Sequence, residues 1–212
     1  GFSPPAGLMQ TTASIAEAVA ALGPSAVRLA RKGIIEQQLT LPFEAPKTML
    51  NVPIGGARRC AAQSWSMSRI MAVKQAAGVT VNDVVLAMCG GALRSYLLEL
   101  NALPDRPLIA MVPVSLREDD SISGNQVGAL LGNLATDTAD PAQRLRAVSE
   151  SMRGNKDVFS ALPQLQRLAL SAFNVSPLLL GMVSPALGTA APPPFNLVIS
   201  NVPGAREPLY WN

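Results

Sequence analysis

The sequence predicts an α/β layered domain. Three observations carry that expectation. Short apolar runs of strand length alternate with helix-period stretches from about residue 61 onward. Several helix-period stretches carry recognisable start or stop residues. The 212 residues are 49% hydrophobic and 15% charged, which gives enough apolar mass for a core.

The elements follow in order. Residues 1–50 read as a helical segment and a linker, with Thr11 to Lys32 Ala-rich and broken at Gly23-Pro24. Lys47 to Arg59 is a Pro- and Gly-containing connector ending in Gly55-Gly56-Ala57-Arg58-Arg59. That run lacks the Gly-Lys-Ser/Thr ending of a phosphate loop. Gln63 to Met67 is a short candidate strand, and Ser68 to Ala77 a helix ended by Gly78. Thr80-Val81-Asn82-Asp83 opens a helix running to about Glu99, with small residues from Ala87 to Ala92. Leu108 to Ser115 is apolar enough to be a strand buried on both faces. Gly124 to Thr136 is a second extended stretch. Asp140-Pro141-Ala142-Gln143 is a helix start, with Asp at the cap, Pro first and Gln three residues after the cap. Leu145, Val148 and Met152 then mark one face. Pro163 to Leu187 is apolar and helical with Pro breaks. Phe195 to Val202 is a last strand, stopped by Pro203-Gly204.

Composition narrows the function. The net charge is +3, aromatics are 4%, and no Lys/Arg run interleaves with aromatics. Nucleic acid is therefore not the expected partner, while an anionic small molecule or a lipid headgroup suits the charge. Cys60 and Cys89 form no Cys-x-x-Cys pair, so a reducing compartment is expected and a disulfide scaffold is not. The chain holds no histidine. That argues against a zinc site, and no metal is expected. It also removes Ser-His-Asp and Cys-His catalysis from these residues. Gly1 to Pro5 offers no basic region or signal-peptide core. Leu168 to Ala205 carries no charge, but Pro177, Pro185 and Pro192 to Pro194 interrupt it. A spanning helix of about 20 apolar residues does not fit there.

Four segments converge on one family. They are Asn51-Val52-Pro53-Ile54-Gly55-Gly56-Ala57-Arg58-Arg59 and Val79-Thr80-Val81-Asn82-Asp83-Val84-Val85-Leu86, then Val112-Pro113-Val114-Ser115-Leu116-Arg117 with Gly124-Asn125, then Asn196-Leu197-Val198-Ile199-Ser200-Asn201-Val202-Pro203-Gly204. In this order and spacing they resemble the bacterial wax ester synthase/diacylglycerol acyltransferase family from about Lys47 to Tyr210. The resemblance implies a chloramphenicol-acetyltransferase-like two-layer half-domain, a mixed sheet with packed helices. Residues 1–50 would then be a helical segment and crossover linker, and residues 51–212 a C-terminal acyltransferase half-domain, incomplete at its C-terminal end. The family moves an acyl group from acyl-CoA, a co-substrate rather than a bound cofactor, to diacylglycerol or a long-chain alcohol. The products are triacylglycerol and wax ester. Its base is the second His of a His-His-x-x-x-Asp-Gly motif, absent here, so no residue of this chain is expected to be catalytic. The expected partner is the N-terminal half of the same enzyme. A cytoplasmic site is expected, peripheral on the inner membrane or lipid droplets.

Candidate site residues carry two readings each. Asn82 and Asp83 match the family's Asn-Asp motif at the reaction chamber. Thr80 and Asp83 also make a capping box, which needs no Asn at position 82. Arg117 and Asn125 suit a supporting role, with a surface Arg beside Glu118, Asp119 and Asp120 as the other reading for Arg117. Ser200 and Asn201 end a strand, where they line a tunnel or simply form a turn before Pro-Gly. Leu178 to Met182 and the flanking apolar run read as core, or as contact with acyl chains or a bilayer surface. A different class of function stays open: a catalytically dead, stand-alone lipid- or acyl-CoA-binding module, or a scaffold paired with a His-bearing subunit.

Overall fold

A computed structural model describes residues 40, 44–52, 56–115, 127–160, 162–163, 166–167, 170–172, 174–175, 192–202 and 204. Among these residues the elements are α1 (Met67–Ala77), α2 (Val81–Glu99), β1 (Ile109–Ser115), β2 (Val127–Asn133), α3 (Pro141–Ser160) and β3 (Leu197–Val198). The expected 11–32 helix, and most of the expected 163–187 run, lie outside them.

The sheet order is β2-β1-β3, so β1 is central. It runs antiparallel to β2, from Ile109 opposite Asn133 to Ser115 opposite Val127, and parallel to β3. A central strand covered on both faces needs apolar residues at consecutive positions. Ala110 and Val112 pack with Leu130, Leu134 and the helices on one face. Ile109 packs with Leu131, Ala45 and Phe195 on the other. The main core gathers Leu86 and Leu97 of α2 and Val148, Met152 and Phe159 of α3 over the first face. Each such side chain, fully buried, contributes about 1.5–3 kcal/mol before entropy is charged against it.

The caps work as the residues predict. Thr80 Oγ1 accepts from Asp83 N–H at 3.2 Å, and Asp83 Oδ2 accepts from Thr80 N–H at 2.9 Å. Asp140 Oδ1 accepts from Gln143 N–H at 2.7 Å and starts α3. Gly78 ends α1 with φ 66°, a left-handed turn that glycine adopts without Cβ strain. Leu145, Val148 and Met152 are buried on α3 as their spacing requires.

Two expectations change. Gln63 to Met67 forms no strand: residues 57–66 are irregular and exposed, and α1 begins at Met67. No described strand lies beside this segment, so it has no ladder to join. The last strand shrinks from the expected 195–202 to Leu197–Val198. The cause lies on β1. Its odd-numbered residues turn their backbone groups toward β3: Ile109 C=O accepts from Asn196 N–H, and Met111 C=O from Ile199 N–H. The next in that series is Pro113, which has no N–H to donate. The ladder stops there.

No single described helix is long and apolar enough to cross a membrane. α1 and α2 together pass on length and composition, but they bend by 104° at their break.

Candidate functional site

The first candidate position is the start of α2. Asp83 is only 4% exposed. Its Oδ2 accepts from Thr80 N–H and also from Ser149 Oγ of α3 at 3.2 Å. The carboxylate therefore closes the helix and ties it to its neighbour. Asn82, the next residue back, is half-buried, and its amide makes no hydrogen bond to any described residue. The two members of the Asn-Asp motif thus differ in kind. Asp83 is committed to the fold, and Asn82 is available.

The second position is the end of β3. Ser200 and Asn201 are exposed, beyond the point where Pro113 ends the ladder. They follow β3 at the edge where parallel β1 ends in Ser115, the residue that leads toward Arg117. Arg117 and Asn125 lie outside the described residues. No hydrogen bond among the described residues joins Asn82 or Asp83 to Ser200 or Asn201.

What holds β3 in place was not singled out from sequence. Asn196 is 7% exposed and fully engaged. Its Oδ1 accepts from Ile109 N–H at 2.9 Å, and its Nδ2 donates to Pro46 C=O at 2.7 Å and to Asn51 Oδ1 at 2.8 Å. Asn51 Nδ2 in turn donates to Phe195 C=O at 3.2 Å, and Thr48 Oγ1 donates to Asn51 Oδ1 at 3.1 Å. This pair of amides, Asn196 buried and Asn51 half-buried, clamps residues 46–51, the start of β1 and the start of β3. A buried network with every group paired rigidifies what it joins. Both asparagines open motif segments in the sequence, which was the signal that could have found them.

A third feature is the α2–α3 contact. A Cβ on Gly90 would strike the Leu134 carbonyl, so only glycine lets the β2–α3 connection approach this closely. A Cβ on Gly91 would meet Arg144 Nη1 at 2.6 Å. Arg94 Nη1 donates to Thr136 C=O at 2.7 Å and Asp137 C=O at 3.0 Å. The small-residue run expected for close packing therefore seats Arg144 and the Leu134 carbonyl. In the same run, Cys89 packs against the core, and burial raises its thiol pKa. A thiol held protonated in this way is a packing group, not a nucleophile.

Residues 3–85 match the wax ester synthase/diacylglycerol acyltransferase catalytic domain, and residues 123–212 match the WS/DGAT C-terminal domain. The chain belongs to the wax ester synthase/diacylglycerol acyltransferase family. The catalytic-domain match begins well upstream of Lys47, where the motif resemblance starts, and the C-terminal match takes in β2, α3 and β3. A Mycobacterium tuberculosis protein named a probable diacylglycerol O-acyltransferase is 64% identical over 206 residues, covering 96% of this chain and 45% of that protein. An Acinetobacter baylyi O-acyltransferase is 47% identical over 170 residues, 80% of this chain and 37% of that protein. The solved wax ester synthase/diacylglycerol acyltransferase from Marinobacter aquaeolei superposes with a TM-score of 0.68 at 34% identity, covering 100% of this chain and 43% of that one. The chain thus spans less than half the length of these relatives. Its α/β architecture is that of the acyltransferase fold, a mixed sheet with helices packed on it.

Proposed function

We propose that this chain forms one part of an acyl-CoA-dependent O-acyltransferase that esterifies diacylglycerol or a long-chain alcohol. The observation that carries this is the pairing of family membership with an uncommitted Asn82 beside a structurally committed Asp83. The chain has no histidine, so the general base is supplied from outside these 212 residues. That base takes the acceptor hydroxyl proton, and the alkoxide attacks the thioester carbonyl directly. The tetrahedral intermediate collapses with CoA thiolate as leaving group, and no acyl-enzyme forms. Stabilising the oxyanion is the large electrostatic contribution in such a step. Asn82 orders that site, with Ser200 and Asn201 lining it and Arg117 and Asn125 in support. The assembly works in the cytoplasm, peripherally on the inner membrane or lipid droplets.

The test is complementation. The 212-residue chain alone should form no triacylglycerol from acyl-CoA and diacylglycerol. Co-expressed with the N-terminal half of a histidine-bearing relative, it should form it. A complex that co-purifies yet stays inactive would count against the proposal. It would favour the second reading, an inactive acyl-CoA- or lipid-binding module, which the lack of histidine also fits.

A further inference from the structure

Between α1, the middle of α2 and the first turn of α3 lies an open groove of about 480 Å³. That is within the usual span of small-molecule sites, about 300–1,000 Å³. Its walls include Trp65, Ile70, Val73, Val84, Met88 and Leu145. Three of these are large apolar residues left open to solvent: Trp65 at 55%, Val73 at 45% and Met88 at 37% exposed. A contiguous apolar strip of that kind calls for an occupant.

Among the described residues, two cations meet the strip and no carboxylate lines it. Arg69 is exposed on α1, and its guanidinium has no partner among the described residues. Arg144 is only 8% exposed. Its Nε donates to Thr138 C=O at 3.2 Å and its Nη2 to Ala139 C=O at 2.8 Å. Its Nη1 makes no hydrogen bond to a described residue and lies against Gly91, where any side chain would displace it. Two sides of this guanidinium are thus spent holding it rigid, and Nη1 lies against Gly91, which lines the groove together with Arg144. A buried guanidinium with open N–H donors selects an oxyanion, and a planar carboxylate suits its fork.

We propose that the groove binds a long-chain fatty carboxylate, its head on Arg144 Nη1 and Arg69 and its chain along Trp65, Ile70, Val73 and Met88. The proposal stands on the groove and does not depend on the acyltransferase reading. It is tested by fluorescence on the full 212-residue chain carrying Trp211→Phe, so that Trp65 alone reports. The probe is stearate brominated at mid-chain, kept below the concentration at which it self-associates.

Saturable quenching of Trp65 is expected, with the brominated neutral alcohol binding at least about fivefold more weakly. Arg69→Glu, on a helix with no buried residue, should weaken the carboxylate at least about fivefold. Met88→Glu places a charge in the strip and should abolish binding, with circular dichroism confirming the fold. Competition by palmitate should exceed that by laurate by more than about tenfold, since each buried methylene is worth up to about fourfold. Quenching that does not saturate, equal affinity for the alcohol, or insensitivity to both variants would overturn the site. None of those results would touch the acyltransferase reading, which is tested by turnover.

Discussion

The start of α2 and the end of β3 make opposite use of similar residues. At α2, a buried carboxylate closes its own helix and reaches across to Ser149 on α3. At β3, Ser200 and Asn201 lie in the open once the ladder stops at Pro113. Both places carry motif residues. The difference teaches that a motif mixes side chains that build the fold with side chains the fold merely presents. Hydrogen-bond accounting separates them. Asp83 and Asn196 are spent, whereas Asn82, Ser200 and Asn201 are free of structural bonds to the described residues.

Substitutions should divide along that line. The largest loss is expected at Asn196→Leu. It would leave Ile109 N–H and Pro46 C=O without partners in a buried setting and remove one of the two bonds at Asn51 Oδ1, at about 3 kcal/mol or more. Urea denaturation would show it, and a stability unchanged within error would break the distinction on the β3 side. Asp83→Ala should cost about 2 kcal/mol, combining a lost cap with the lost Ser149 bond. Gly90→Ala should cost about 1–3 kcal/mol, because its Cβ would strike the Leu134 carbonyl of the backbone. Ser200→Ala and Asn201→Ala should shift stability by no more than about 0.5 kcal/mol, as exposed positions do. A large loss at either would mean that the strand end also builds the fold.

Much of this fold was legible before any coordinates. The caps at Thr80, Gly78 and Asp140 are local, and a few residues decide them. The doubly buried β1 announced itself through consecutive apolar positions. What stayed hidden was non-local. Gln63 to Met67 has strand-like residues, but nothing in the segment states whether a neighbour exists to pair with it. Pro113 sits in a strand that reads as central, and its effect falls on β3, more than 80 residues away. The Asn51–Asn196 clamp spans 145 residues and depends on a register that no local pattern encodes. Of the candidate site, the identity of the motif residues was readable. Which of them the fold consumes was not, since Ser149, the residue that commits Asp83 to α3, carries no motif signal of its own.

The most direct test compares Asn82→Ala with Asp83→Ala in the complemented acyltransferase, measuring turnover and thermal midpoint on the same samples. Asn82→Ala should keep the wild-type midpoint and lose about tenfold or more in kcat. Asp83→Ala should lower the midpoint. Wild-type turnover in Asn82→Ala, or a midpoint that falls as far as that of Asp83→Ala, would contradict the assignment of Asn82 to the chemistry rather than to the fold.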